Sequence, residues 1–379
     1  MVNSNANAIG IIFPNSYDNL VPELAGDRLM ASIPFAGRYR IIDFLLSSLA
    51  NCGISNIAIV VRENYHSLMD HLGSGREWDL LRKNGGLSIF PPYAEKNMKV
   101  YSGRVEALES ILPYLKSKKE KYVIMMDANI AVDFDFNAML AEHIESGADV
   151  TVAYTEQEIP AELIRAGSHG DMYYTLKLDE GRVRRIFMNS EMCGKQNLSM
   201  NIYIMDREAL IDKIHAAFVR GYSCFERDIL APRLEKYNIR GYKYDGYYAR
   251  ICGLKSYFDE NMKLLDDENL DALFTGGQIY TKIRDDNPTR YINGCKTKNN
   301  LVADGCVIEG DVENCVLFRG VKIAKGAKIR NSVLMQDTVV EVNAELDCVV
   351  TDKNVKITAG KKLSGTESFP VYVQKNHTV

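Results

Sequence analysis

From about Tyr291 onward, apolar residues recur at intervals of six. Leu317, Ile323, Ile329 and Met335 form one such row, and Val321, Ala327, Val333 and Val339 form a second. Few folds tolerate that period. A helix repeats near 3.6 residues and a half-buried strand at two. A six-residue period turns one apolar side chain inward per short strand, and it predicts a left-handed parallel β-helix in which each coil takes three hexapeptides. Gly305, Gly310, Gly320 and Gly326 mark turns between the strands. The row slips by one near Val340 and resumes at Leu346.

The first 260 or so residues follow a different rule. "AIGIIF" (Ala8–Phe13), "NIAIVV" (Asn56–Val61), "YVIMM" (Tyr122–Met126) and "DVTVAYT" (Asp149–Thr155) are short apolar runs expected as strands. Between them, Arg40–Gly53 and Phe136–Ala148 carry apolar residues at helical spacing. Strand and helix in alternation predict a mostly parallel sheet with helices on both faces. The expected organisation is α/β: a Rossmann-like sheet domain over residues 1–265, a linker over 266–290 and the β-helix over 291–379.

Composition excludes several functions. The net charge is −4, without a Lys/Arg cluster, which argues against a nucleic-acid partner. No run of about 18 apolar residues exists to span a membrane. "MVNSNANAIGIIF" lacks a basic start followed by a long apolar stretch, so no leader is expected. The eight cysteines are dispersed, with no C-x-x-C pair, and are expected as reduced, mostly buried thiols of a cytoplasmic protein. His66 and His71 lack a carboxylate pattern that would make them metal ligands. The tyrosines 242, 244, 247 and 248 are expected to pack at the domain junction. The hexads could belong to an acyltransferase, but no His is placed as a general base.

"IPFAGRYRIIDFLLSSLANCGISNIAIV" (Ile33–Val60) resembles the bacterial glucose-1-phosphate adenylyltransferases, also called ADP-glucose pyrophosphorylases. That family carries F-G-G-K-[FY]-R-I-I-D-F. "GSGREWDLLRKNGGLSIFPPY" (Gly73–Tyr93), "NLSMNIYIMD" (Asn197–Asp206) and "GYYARICGLKSYFDENMKLL" (Gly246–Leu265) are similar to further family stretches. The family, too, joins a nucleotidyltransferase domain to a left-handed β-helix. The resemblance implies a reaction between ATP and glucose 1-phosphate that releases pyrophosphate. Such chemistry needs a backbone cradle for the triphosphate, basic side chains and Mg²⁺ held by carboxylates.

Aligned with the family, this chain lacks each of these. The family's G-G-x-G-x-R-L cradle reads "PNSYDNL", with Pro14, Asn15 and Tyr17 at glycine positions and Asn19 at the Arg. Glycine lets backbone N–H groups approach phosphate closely, and Pro14 has no N–H at all. Asp18 adds negative charge there. The family's Lys-Pro is Met30-Ala31. Its first metal-binding Asp falls on Asn129, and a second conserved Asp on Asp135. The other metal Asp, from W-[RK]-D-V-G-T, is Arg250, and the Thr is Gly253. The sugar-phosphate clamp E-K-P reads Met188-Asn189-Ser190.

The resemblance therefore implies the family's non-catalytic branch, whose members pair with a catalytic homologue. The expected protein is a pseudoenzyme subunit with no cofactor of its own, in a heterotetramer whose catalytic partner uses Mg²⁺. Arg38, Arg40, Asp43, Trp78 and Asp79 match the family and are expected either as structural groups or as a residual ligand pocket. The alternative is a weakly active Mg²⁺-dependent enzyme that takes Asp127 and Asp135 as its ligands. Asp127 stands two residues, about 6–7 Å along a strand, from Asn129.

Overall fold

The apolar run Ala8–Phe13 is buried along its whole length, as a strand covered on both faces must be. The computed structural model describes residues 7–83, 85–92, 101, 103–167 and 173–379. Met1 to Ala6, on which the leader expectation bears, and Asn84 and Tyr93 of the Gly73–Tyr93 stretch lie outside the described residues. Among the described residues no helix is long and apolar enough to cross a membrane. By internal contacts the chain divides into two compact units, and neither is a continuous stretch.

The first unit is Met1–Tyr17, Leu45–Ala128 and Phe134–Gly246. Its nine-stranded sheet runs, in spatial order, Gly86–Phe90, Asn56–Val60, Ala8–Phe13, Tyr122–Asp127, Lys195–Asp206, Val150–Glu158, Ile239–Lys243, Arg182–Met188 and Tyr174–Asp179. The first four are parallel, and Lys195–Asp206 runs against both its neighbours. Ile9, Ile11, Val123 and Met125 pack one sheet face against the helices Arg104–Ser110 and Arg207–Val219. Asp206 starts the latter by accepting a hydrogen bond from the Ala209 amide at 3.0 Å. Gly10 packs closely under Leu49: a Cβ there would sit 2.9 Å from Leu49 Cδ1 and push that side chain aside.

The second unit is Asp18–Phe44, Asn129–Asp133 and Tyr247–Val379. Its bulk is a parallel β-helix with ladders of five and seven strands. The hexad expectation needs a correction here. Asp311 pairs with Lys328, Lys328 with Glu345, and Glu345 with Lys362, each seventeen residues further on. The first coil is shorter still, with Lys296 paired to Asp311. None of these steps is a full three hexads, and the last coil, with Val349 paired to Val371, is longer. Leu317 therefore stacks on Leu334, not on Met335, and Ile323 on Val340. Val340 is fully buried, while Val339, assigned to the inner row, is half-buried. The corners are tight, with single left-handed residues at Gly320, Asp337 and Asn354 (φ 73°, 59° and 57°).

Part of the expected linker is ordered structure: Asp267–Phe274 is a helix, capped by Asp266 and buried through Leu273. The segment Asp18–Phe44 is fastened to the rest of its unit by polar contacts. Asn261 Oδ1 accepts from the Ala36 amide at 3.1 Å, and the Tyr257 hydroxyl donates to the Pro34 carbonyl at 2.8 Å. The strongest tie is ionic. Arg28 Nη2 donates to both oxygens of Asp352, at 2.8 and 2.6 Å, with both side chains buried. The Tyr372 hydroxyl donates to the same carboxylate at 3.0 Å. Removing one member of a buried pair leaves the other uncompensated. Asp352→Asn is accordingly expected to lose about 3–5 kcal/mol in urea unfolding, and Arg28→Met a comparable amount. A loss below about 1 kcal/mol, the range of exposed pairs, would contradict the assignment.

Candidate functional site

The carboxyl ends of parallel strands are where α/β folds place ligands. Asp127 ends its strand there, in register with Phe13 of the first strand and one residue beyond Met126, which faces Ile202. The carboxylate is 1% exposed and accepts from three neighbouring segments. Ser16 Oγ, from the loop after the first strand, donates to Oδ1 at 2.7 Å. Asn201 Nδ2 donates to Oδ2 at 2.9 Å. Arg104 Nη2, from the first turn of its helix, donates to both oxygens at 2.8 Å. Four accepted hydrogen bonds fill the lone-pair sites of a carboxylate.

A bulge aims the asparagine. The pairing of Lys195–Asp206 with Val150–Glu158 shifts register between Ser199 and Tyr203, and Asn201 takes a left-handed φ of 56°. Bulges of this kind redirect a side chain. The guanidinium of Arg104 is equally enclosed: its Nη1 binds Glu226, and its Cζ lies 5.1 Å and 5.4 Å from the ring centroids of Phe13 and Tyr203. Burial pushes the Asp127 carboxyl up, against the opposing pull of Arg104 and Ser16. Burial also pulls the guanidinium down, but Asp127 and Glu226 together hold it well above its ordinary value. Arg104 stays charged and Asp127 serves it as counter-ion. Beside them, burial pushes the Cys224 thiol up, away from the thiolate that a nucleophile needs.

The other aligned positions are also occupied by the protein's own contacts. Asn15 clamps the chain at residues 62–63, donating to the Glu63 carbonyl at 3.1 Å and accepting from the Arg62 amide at 2.8 Å. Tyr17 is buried, and its hydroxyl meets Asn201 Nδ2. A phenol therefore stands where the family's cradle has a glycine. Asn189, at φ 49°, closes the end of its hairpin: its Oδ1 accepts from the Tyr173 amide and its own amide donates to the Tyr173 carbonyl, both at 3.0 Å. Asp135 caps the helix Phe136–Glu145, accepting from the amides of Asn137 and Ala138 at 2.9 and 3.0 Å.

In the second unit, Ile130–Val132 pairs antiparallel with Tyr248–Arg250. Ile130 faces Arg250, and the Ile251 amide donates to the Asn129 carbonyl at 2.9 Å. Asn129, one residue before Ile130–Val132, thus lies next to the pairing that holds Arg250, and the two positions carry an amide and a guanidinium. Both are buried, and Arg250 Cζ lies 5.7 Å from the Tyr248 ring centroid. Asp18 Oδ1 accepts from the Met30 amide at 2.6 Å, and Met30 itself is buried. Asn19 is exposed, and Pro14 is buried in the first unit. Among the described residues no group of three or more His, Cys, Asp or Glu side chains is arranged to hold a metal ion.

The retained residues have structural partners. Asp43, fully buried, accepts from the Arg40 amide at 2.9 Å at a helix start. Arg38 is half-exposed, 3.9 Å from Asp304. Trp78 is buried against the His71 ring, while Asp79 pairs with Arg82 at the surface. Of the tyrosines, Tyr242 and Tyr244 pack on Phe134, and Tyr247 donates to Glu260 at 3.1 Å. Sequence reasoning missed Arg104, Asn201 and Glu226. Asn201 lies inside a quoted family stretch, but its left-handed backbone is not readable from residue type.

The chain is similar in sequence to known proteins over most of its length. Residues 24–240 match the nucleotidyl transferase family, and residues 285–367 match the GlmU-like C-terminal hexapeptide family. The glycogen biosynthesis protein GlgD of Bacillus subtilis (strain 168) is 32% identical over 373 residues, 98% of this chain and 96% of that protein. GlgD of Geobacillus stearothermophilus is 36% identical over 327 residues, 86% of this chain and 83% of that protein. The glucose-1-phosphate adenylyltransferase of Bacillus mycoides (strain KBAB4) is 32% identical over 336 residues, 87% of each chain.

The charge cluster has a measurable consequence. Arg104→Met strips Asp127 of its counter-ion and is expected to lower stability by about 3–5 kcal/mol. Asp127→Asn is expected to cost less, because Glu226 still balances Arg104. Equal stability of both variants and the parent in denaturant titration would show that the pair contributes nothing.

Proposed function

The chain belongs to the nucleotidyl transferase family, in the group of the GlgD proteins and glucose-1-phosphate adenylyltransferases, and from that membership we propose that it acts in bacterial glycogen synthesis as a catalytically deficient partner subunit of an ADP-glucose-forming adenylyltransferase. The observation that carries the proposal is the amide and guanidinium of Asn129 and Arg250 at the positions aligned with metal carboxylates. A permanent cation repels Mg²⁺, and a neutral amide supplies no charge to offset it. The two acids nearest in sequence do not fit a metal either. Asp127 has its lone pairs taken by Ser16, Asn201 and Arg104, and Asp135 is engaged as a helix cap. No catalytic step is therefore drawn through Mg²⁺ on this chain.

Tyr17 and Asn15 bear on the same conclusion. A triphosphate cradle requires backbone N–H groups bare of side chains. Here a buried phenol and a clamped amide fill glycine positions. A chain that keeps the family's fold without its phosphate and metal groups acts through its surfaces. Family enzymes of this architecture form closed tetramers, in which a homologue can occupy some positions. A rise in the partner's turnover or effector response then reflects a coupling free energy of about 1–3 kcal/mol.

The pure chain is expected to release no pyrophosphate from ATP and glucose 1-phosphate above background with Mg²⁺. Co-expressed with a catalytic homologue, it is expected to co-elute with that homologue on size exclusion and to change its kcat or effector response. Loss of everything after Arg290 is expected to abolish both effects. Turnover by the pure chain within about tenfold of the enzyme median near 10 s⁻¹ would favour the alternative, a weakly active enzyme using Asp127 and Asp135. An intact chain that neither co-elutes nor alters the partner's rate would refute the subunit role.

A further inference from the structure

In a parallel ladder, residues in register stack directly above one another along the coil axis. The seven-stranded ladder of the β-helix does this with charge. One column reads Lys296, Asp311, Lys328, Glu345, Lys362. Two residues along, the next reads Lys298, Glu313, Arg330, Asp347, Ser364. The sign alternates at every charged step. Glu313 has a cation on each side, Lys298 Nζ at 2.9 Å and Arg330 Nε at 3.9 Å. Beside these columns runs an amide ladder: Asn299 Nδ2 donates to Asn314 Oδ1 at 3.0 Å, and Asn331 continues it to Asp347.

The columns stop at Lys296–Val302, which is one end of the strand order. Its residues Lys296, Thr297, Lys298 and Asn299 are exposed, and the strand has a neighbour on one side only among the described residues. Lys298 has an acid on its inner side, as Glu313 has a cation on each. Outward-facing lysines can protect an open edge from random pairing. They also select. A second copy stacking through the same edge in register would oppose lysine to lysine. Head-to-tail stacking would oppose Lys296 to Lys362, the cation at the far end of the same column. Like charges so placed disfavour self-assembly along this axis. The complement that fits is visible inside the chain: Asp311-Val312-Glu313-Asn314 is what Lys296-Thr297-Lys298-Asn299 accepts on its inner side.

We propose that the open edge Lys296–Val302 docks an extended strand of a different protein that carries carboxylates at two alternate positions opposite Lys296 and Lys298. The proposal rests on the partner-subunit role above and places the partner there, with main-chain pairing for affinity and charge for choice. It also assigns the lysines the function of keeping identical copies apart.

The test uses the full chain and the catalytic adenylyltransferase of the same organism, with affinity measured by interferometry over a range of salt. Wild-type affinity is expected to weaken as salt rises. Lys296→Glu with Lys298→Glu is expected to raise Kd about tenfold or more. That double change also opposes acid to acid within the chain's own columns. Lys296→Gln with Lys298→Gln is therefore measured beside it, with thermal melting as the check on folding. The neutral pair is expected to lose most of the salt dependence and to keep the wild-type melting point. Lys362→Glu, at the far edge, is expected to leave Kd within twofold. If the wild type binds and both double variants bind equally well, the edge assignment is wrong while the subunit role stands. If the wild type does not bind at all, both fall.

Discussion

The first unit depends on an internal ion pair at the end of one strand. Asp127 is a carboxylate that the protein has solvated by itself. It takes Ser16 from the loop after the first strand, Arg104 from a helix start and Asn201 from the antiparallel neighbour. Each of these elements enters the sheet at its carboxyl end, so one buried charge fixes the positions of three segments. Dehydrating such a pair costs several kcal/mol per ion, and good geometry with full hydrogen bonding offsets it. Here one guanidinium nitrogen binds both carboxylate oxygens, and two aromatic rings cover the guanidinium. An arginine neutralises the buried carboxylate from within the protein.

The same substitution of internal contacts for ligands recurs at the other aligned positions. Tyr17 meets Asn201, Asn15 holds residues 62 and 63, and Asn189 closes a hairpin. None of these side chains is a passive replacement. Each takes up hydrogen-bonding capacity that a phosphate cradle would have to leave open, so these polar groups are satisfied from within the protein. Arg250 and Asn129, close together at the end of one strand pairing, complete the pattern with a cation and a neutral amide where the resemblance implies two metal carboxylates.

Much of this was readable from residue order, and the failures have physical causes. The continuous apolar runs gave their strands directly, because a strand buried on both faces needs no polar alternation. The six-residue period announced the β-helix, yet it misplaced the stacking. Inward positions repeat locally at six, but the central coils close at seventeen, with corners that turn through single left-handed residues such as Asp337 and Asn354. Aligned losses at Asn129 and Arg250 were visible as residue types. The fate of Asp127 was not. Arg104 and Glu226 are distant in sequence, and Asn201 reaches the carboxylate through a bulge that periodicity cannot reveal. Residue order alone therefore leaves Asp127 a candidate ligand, and only the fold brings Ser16, Asn201 and Arg104 onto it.

Among the described residues no cluster of acids is arranged to hold a metal ion, and the proposed subunit role requires that none binds at Asp127. Mn²⁺ substitutes for Mg²⁺ at oxygen sites, and its free aqua ion gives an electron paramagnetic resonance signal that binding broadens away. Titrating the purified chain into Mn²⁺, with Asp127→Asn as the parallel sample, tests the claim directly. The free-ion signal is expected to keep its full intensity at every ratio for both proteins. A stoichiometric loss of signal with the parent chain, abolished by Asp127→Asn, would contradict it.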